Sequence, residues 1–231
     1  MSDIVPLEPV DYLAVGHIAR DLTPKGPQLG GTVAYSALTA RALGLRVGIV
    51  TAAGPDAPLE ALNGIPIVSI ESNSSTTYEN IYTETGRVQY LRSQASRINL
   101  DRVPAPWRSA PIIHLGPIAN EVDSVLPGGF SPSVLGLTPQ GWMRQWDTSG
   151  LVSPCEWANS ESALAGAGAV FKRLLLGWRA MRVSEDAGQC QTPSDLHHLE
   201  VFLARAALGA GPVHRHVCPR GTGSAAVLRI A

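Results

Sequence analysis

Residues 29–54 read LGGTVAYSALTARALGLRVGIVTAAG, and this stretch decides the fold. Two adjacent glycines, Gly30 and Gly31, open it, and glycine adopts backbone angles that let the chain approach another group closely. Small and apolar residues then recur at helical spacing, which predicts a helix able to lie close against a sheet. Gly44 stands where that helix should end in a left-handed residue. The apolar run VGIV that follows is typical of a buried strand.

This order of elements resembles the first signature of the ribokinase-like, or PfkB, carbohydrate kinases. The resemblance rests on the two glycines, the small-residue helix ending in Leu-Gly, the apolar strand and the Gly-Pro-Asp at 54–56. It implies that Gly30 and Gly31 line a sugar site, and that ATP with Mg²⁺ phosphorylates a hydroxyl of a small sugar or polyol. The family often has Asn at the sixth position of the motif, where this chain has Tyr35.

Composition limits the class of protein. The 231 residues are 45% hydrophobic with a net charge of -1, which argues against a nucleic-acid-binding protein that neutralises phosphates. No apolar run approaches the roughly 20 residues that cross a bilayer, and no secretory signal is visible. Three cysteines fit reduced thiols, so a cytoplasmic location without membrane association is expected. One domain spanning residues 1–231 is predicted.

A first strand is predicted at residues 12–16 (YLAVG), and polar residues follow its end. Functional groups cluster where strands run into loops in α/β sheets. By the resemblance, Asp21 is the acidic residue that accepts hydrogen bonds from sugar hydroxyls, a task that suits a carboxylate. The alternative is a solvated aspartate in a loop that contains Pro24, Gly26 and Pro27.

A β-hairpin is predicted from two arms rich in Thr, Tyr, Val and Ile, at about residues 75–83 and 87–91. A strand at 65–71 precedes it. The resemblance implies that residues 75–95 form a lid over the sugar, with Thr77, Asn80 and Gln89 presenting polar groups to it. Alternatively, these three residues lie on the solvent face of an edge hairpin. A homodimer through the lid is a further expectation.

Two more buried strands are predicted, at residues 111–119 and 133–138, with a helix beginning at 120–123 and a loop or short helix at 139–147. His114 has apolar neighbours, which favours a hydrogen-bonded core histidine over a ligand. The run LGLTPQGWMRQWD also resembles a PfkB segment. Strands alternating with helices predict a ribokinase-like α/β fold, a mostly parallel sheet flanked by helices.

The chain changes character in residues 168–231. The second family signature, D-T-x-G-A-G-D, is absent from the sequence. In the family its last Asp is the catalytic base and its amides hold the transferring phosphate. Arg220 and Gly221, in the run RGTGSA, come nearest to a nucleotide contact, and no catalytic residue can be named. The scattered cysteines and histidines lack the spacing of a metal site. The alternatives to a kinase are therefore a non-catalytic sugar-binding module and a truncated or frame-disturbed product.

Overall fold

The computed structural model describes residues 7–84, 86–158 and 160–170. Two α-helices are found there, α1 (Thr32–Ala42) and α2 (Ser160–Ala165). Short 3-10 helices lie at Glu60–Leu62, Leu100–Arg102, Ala105–Trp107 and Pro139–Gly141. The strands, in chain order, are β1 (Tyr12–Val15), β2 (Ala19–Thr23), β3 (Gly26–Gly30), β4 (Val47–Ala53), β5 (Ile67–Glu71), β6 (Thr76–Thr83), β7 (Gly86–Ser93), β8 (Ile112–Leu115), β9 (Val134–Leu137), β10 (Arg144–Trp146), β11 (Val152–Pro154) and β12 (Ala169–Val170).

A six-stranded sheet with the order β12-β9-β8-β1-β4-β5 forms the centre of the fold, and all of its neighbouring strands run parallel. Successive residues of β1 point to opposite faces of this sheet. Leu13 and Val15 pack into the larger hydrophobic cluster, which contains the fully buried Trp107. Tyr12 and Ala14 pack into the second cluster, beneath α1. Burial on both faces explains why these strands read as unbroken apolar runs, and the predicted mostly parallel α/β sheet is confirmed.

Helix α1 covers one face of the sheet, as its pattern predicts. Gly31 is its N-cap residue, with φ of 94°. The residues that it buries are small or β-branched: Val33, Ala34, Ser36, Ala37 and Ala40. Gly44 follows the last turn with φ of 85°, the left-handed conformation expected there.

A second sheet has four strands in the order β3-β2-β6-β7. Strand β2 runs antiparallel to β3 and parallel to β6, and β6 forms a hairpin with β7. The predicted hairpin is therefore confirmed, but the loop expected to contain Pro24, Gly26 and Pro27 is part of a second hairpin, formed by β2 and β3. Strand β3 lies at the edge of the sheet, where the missing N–H of Pro27 costs little. Gly26, with φ of 103°, makes the turn that pairs β2 with β3.

Residues 120–123 form no helix, so that prediction is also wrong. Glu121 is fully buried there, and backbone N–H groups bind its carboxylate instead of solvent. In residues 139–147, the short helix Pro139–Gly141 is confirmed, but β10 pairs with β11 where a loop or helix was expected. Within the described residues, no helix is long and apolar enough to cross a membrane.

Candidate functional site

One face of the four-stranded sheet gathers polar side chains from all four of its strands. Asp21 on β2 lies opposite Gln28 of β3 and Tyr78 of β6. Two residues further along β6, Asn80 lies opposite Gln89 of β7. Residues in register, and residues two apart on a strand, share a face of a pleated sheet. All five side chains therefore belong to the same face, which we call the polar face.

The carboxylate of Asp21 is the central acceptor of the polar face. It lies against Gly30, where a methyl group would overlap Oδ2. No hydrogen-bond donor of the described residues contacts this half-buried carboxylate. Burial raises the pKa of Asp21 above its ordinary value, and the nearby charges of Arg87 and Arg144 oppose that rise. A carboxylate held in this way can accept hydrogen bonds from ligand hydroxyls.

Gly31 and Tyr35 form the adjoining wall at the start of α1. A methyl group at Gly31 would lie 2.6 Å from the carbonyl oxygen of His17, so only glycine fits there. The half-exposed Tyr35 donates its hydroxyl to the carbonyl of Leu29 at 2.9 Å. Burial, followed by the charge of Asp21, raises the pKa of the Tyr35 hydroxyl. The predicted residues Asp21, Gly30, Gly31 and Tyr35 therefore lie at one corner of the fold.

The hairpin adds an amide pair to the polar face. Gln89 Nε2 donates to Asn80 Oδ1 at 2.9 Å, and both side chains are half-buried. This bond uses one donor and one acceptor, so the Asn80 amide hydrogens and the Gln89 carbonyl oxygen remain for another partner. The structure thus brings Asn80 and Gln89 to the same face as Asp21.

Thr77 is not brought together with them. It lies opposite Arg20, one residue out of phase with Asp21, so the register puts it on the other face of the sheet. Its buried hydroxyl donates to the carbonyl of Ser75 at 3.1 Å. This placement assigns Thr77 to the packing between strands rather than to the polar face.

The sequence reasoning missed Arg144, on β10. This side chain is only 5% exposed, and its guanidinium lies 5.6 Å from the centre of the Tyr78 ring. Its Nη1 donates to the carbonyl of Ile118 at 3.3 Å, and the Tyr78 hydroxyl donates to the same oxygen at 2.6 Å. Both Nη atoms also lie 3.2 Å from the Gln140 amide oxygen in its favoured orientation. The only signal in the sequence was the run PQGWMR.

Glu121, which the sequence analysis did not identify either, holds the backbone segments that lie next to the polar face. Its carboxylate accepts from the backbone N–H groups of His17 at 2.8 Å, Ile118 at 3.0 Å and Ala119 at 2.7 Å. These bonds join the end of β1 to the turn after β8. Because Ile118 also holds Arg144 through its carbonyl, Glu121 stabilises the position of the guanidinium indirectly.

The remaining predictions concern a metal site, the nucleotide contacts and His114. Within the described residues, no three His, Cys, Asp or Glu side chains cluster as metal ligands. The predicted nucleotide contacts Arg220 and Gly221 lie outside the described residues. His114 is a core residue, as predicted, with its ring nitrogens 2.6 Å from the Tyr12 hydroxyl and 2.8 Å from that of Thr138.

Comparison with known proteins shows what the described architecture resembles. No protein-family model matches the chain, and no curated protein matches it. Among solved structures, it is similar to a pyrophosphate-dependent kinase in the ribokinase family, complexed with a pyrophosphate analog and myo-inositol. The identity is 20% over 70% of this chain and 60% of that chain, with a TM-score of 0.58.

A second solved structure is a pyrophosphate-dependent myo-inositol-1 kinase that two substitutions convert into a myo-inositol-3 kinase. Its identity is 18% over 70% of this chain and 59% of that chain, with a TM-score of 0.57. The chain spans about 60% of the length of these two solved structures. The likeness confirms the fold expected from the two glycines and the small-residue helix: the chain has a ribokinase-like fold.

Proposed function

We propose that this protein binds a small polyol or sugar on the polar face and transfers a phosphoryl group to one of its hydroxyls. The observation that carries the proposal is the Asp21 carboxylate. It lies half-buried against Gly30 without a hydrogen-bond donor among the described residues. Ligand hydroxyls would supply the missing donors, and the free groups of Asn80 and Gln89 would bind further hydroxyls.

The phosphoryl donor is proposed to be ATP or pyrophosphate. The resemblance implies ATP with Mg²⁺, whereas the two solved structures described above are pyrophosphate-dependent kinases. Magnesium would supply charge neutralisation of the transferred phosphoryl group. Among the described residues, no three His, Cys, Asp or Glu side chains cluster as metal ligands. A homodimer through the lid hairpin at residues 75–95 and a cytoplasmic location stay predictions.

The test measures polyol binding and phosphoryl transfer separately. A panel that includes myo-inositol is titrated into the full chain by calorimetry, and product is assayed with ATP and with pyrophosphate. Replacing Asp21 with Asn should weaken binding by about 10- to 100-fold, because a charge-assisted hydrogen bond contributes roughly 1.5–3 kcal/mol. The matched control is Glu79→Gln, since Glu79 lies on the opposite face of the same sheet, in an ion pair with Arg92.

Binding that Asp21→Asn weakens and Glu79→Gln leaves unchanged supports the proposed site. If no polyol of the panel binds, or if both variants bind as the unaltered chain does, the proposal is wrong.

A polyol-binding protein without turnover is the second candidate. The absence of D-T-x-G-A-G-D from the sequence favours it, because loss of a general base alone commonly costs about 10²–10⁴ in rate. Saturable polyol binding that depends on Asp21, without product from either donor, would select this candidate over the kinase.

A further inference from the structure

The polar face holds more positive charge than a neutral polyol requires. Arg87, on β7, lies opposite Tyr82 and shares the face of Asn80 and Gln89. Arg144 reaches the same region from β10, across the ring of Tyr78. Neither arginine takes part in an ion pair among the described residues, whose ion pairs are Arg20–Asp56, Arg46–Asp11, Arg92–Glu79 and Arg97–Asp123.

Within the described part of the chain, the hydrogen bonds of Arg144 do not use all of its N–H donors and include no carboxylate. A guanidinium has five N–H donors. Its contacts are to neutral oxygens, those of Ile118 and Gln140, and its buried Nε has no partner among the described residues. Burial lowers the pKa of Arg144, the Tyr78 hydroxyl and the charge of Glu121 oppose that shift, and the charge of Arg87 adds to it. A buried guanidinium without a carboxylate partner is unfavourable, and an anion bound beside it removes that cost.

Neither of the two nearby carboxylates, Glu121 and Asp21, forms an ion pair with Arg144. Glu121 is saturated by the backbone N–H groups of His17, Ile118 and Ala119. Asp21 is close enough for both arginines to affect it, but it forms no ion pair with either of them. An additional anion would therefore complete the charge balance at this face.

We propose that Arg87 and Arg144 form an anion subsite beside Asp21, so that the polar face binds hydroxyls at one end and an anionic oxygen group at the other. This inference rests on the proposed function and narrows its ligand to an acidic polyol or to a polyol next to the phosphoryl donor. Both sources share the same chemistry, a carboxylate or phosphate group that can pair with guanidinium.

The experiment compares ligands that differ in charge. Sorbitol, gluconate and inorganic pyrophosphate are each titrated into the full chain at fixed ionic strength by calorimetry. Gluconate should bind at least about tenfold more tightly than sorbitol if the acid is on the substrate. If the anion belongs to the phosphoryl donor, pyrophosphate should bind in the absence of a polyol, and gluconate should bind no more tightly than sorbitol.

Arg87→Gln is the diagnostic variant, because Arg87 is half-buried and its removal leaves the core intact. This substitution should weaken binding of the preferred anion about tenfold and leave the affinity for sorbitol unchanged. The matched control is Arg92→Gln on the same strand, because Arg92 stacks on Tyr90 and pairs with Glu79 on the opposite face. The Arg92→Gln control should bind all three ligands with the affinity of the unaltered chain.

The outcomes separate this inference from the proposed function. Sorbitol binding that depends on Asp21, with gluconate no tighter and no pyrophosphate binding, overturns the anion subsite and leaves the polyol site standing. Anion binding weakened by Arg87→Gln, without sorbitol binding, supports the subsite and counts against a neutral-polyol kinase. If none of the three ligands binds, or if Arg87→Gln has no effect on any of them, the subsite does not exist.

Discussion

His114 should make the stability of this protein fall as the pH is lowered below 6.5. The ring is 1% exposed, and burial lowers its pKa from the ordinary value of 6.5 to about 4. A neutral imidazole has one donor and one acceptor nitrogen, which matches its hydroxyl partners Tyr12 and Thr138. The folded protein therefore keeps this histidine neutral at pH values where the unfolded chain protonates it.

The direction and size of the effect follow from that difference in pKa. Between pH 6.5 and pH 4 the unfolded state binds more protons than the folded state, so the free energy of unfolding rises with pH and falls on acidification. Each unit of pKa difference is worth about 1.4 kcal/mol. Lowering the pH from about 7.5 to about 4.5 should therefore cost about 2.5 kcal/mol through His114 alone.

The assay is urea unfolding at several pH values in that range, on the unaltered chain and on His114→Gln. Glutamine does not titrate, so the variant should lose this component of the pH dependence while other groups contribute equally to both proteins. The difference between the two unfolding free energies should shrink by about 2.5 kcal/mol as the pH falls. Parallel curves for the two proteins would show that His114 is not buried in its neutral form.

Three substitutions test the framework around the site, each by urea unfolding. Gly31→Ala should cost about 2 kcal/mol or more, because φ of 94° strains a side chain that also meets a carbonyl oxygen; an unchanged midpoint would contradict this. Glu121→Gln should cost about 3 kcal/mol, since it replaces a buried carboxylate bound by backbone N–H groups, whereas the exposed control Asp123→Asn should cost under about 1 kcal/mol. Gly48→Ala should cost about 1–3 kcal/mol, because its methyl group would lie 3.1 Å from the ring of Trp107, and a stabilised variant would refute that packing.

The central sheet and α1 were predictable because local pattern and tertiary role agree there. Strands buried on both faces read as apolar runs, and Gly31 and Gly44 mark the two ends of the helix. Strand β2 and strand β3 were not predictable in this way. Asp21 interrupts any apolar alternation, and Pro27 argues against a strand unless that strand is known to lie at an edge.

The polar face was predicted only in part, because spacing along the chain does not reveal which groups meet. Asp21 carried a signal through its place after the first strand. Glu121 carried none and Arg144 only its place in the run PQGWMR, since their partners include backbone groups of Ile118 and of residues far away in sequence. Thr77 shows how much depends on strand register: its hydroxyl is of a type that contacts ligands, but one step along β6 places it on the face opposite to Asp21.

The same register argument explains why the fold and the proposed site depend on each other. Asp21 can lie on the polar face only if β2 pairs with both β3 and β6, and the β3 pairing brings Gly30 under its carboxylate. Any side chain at Gly30 would push Asp21 away, and any side chain at Gly31 would push back the end of β1. The two glycines therefore serve one geometric purpose, which is to let the start of α1 lie close to the carboxylate that we propose as the ligand contact. A chain with this fold but without that close approach would keep its parallel sheet and lose the proposed polyol site.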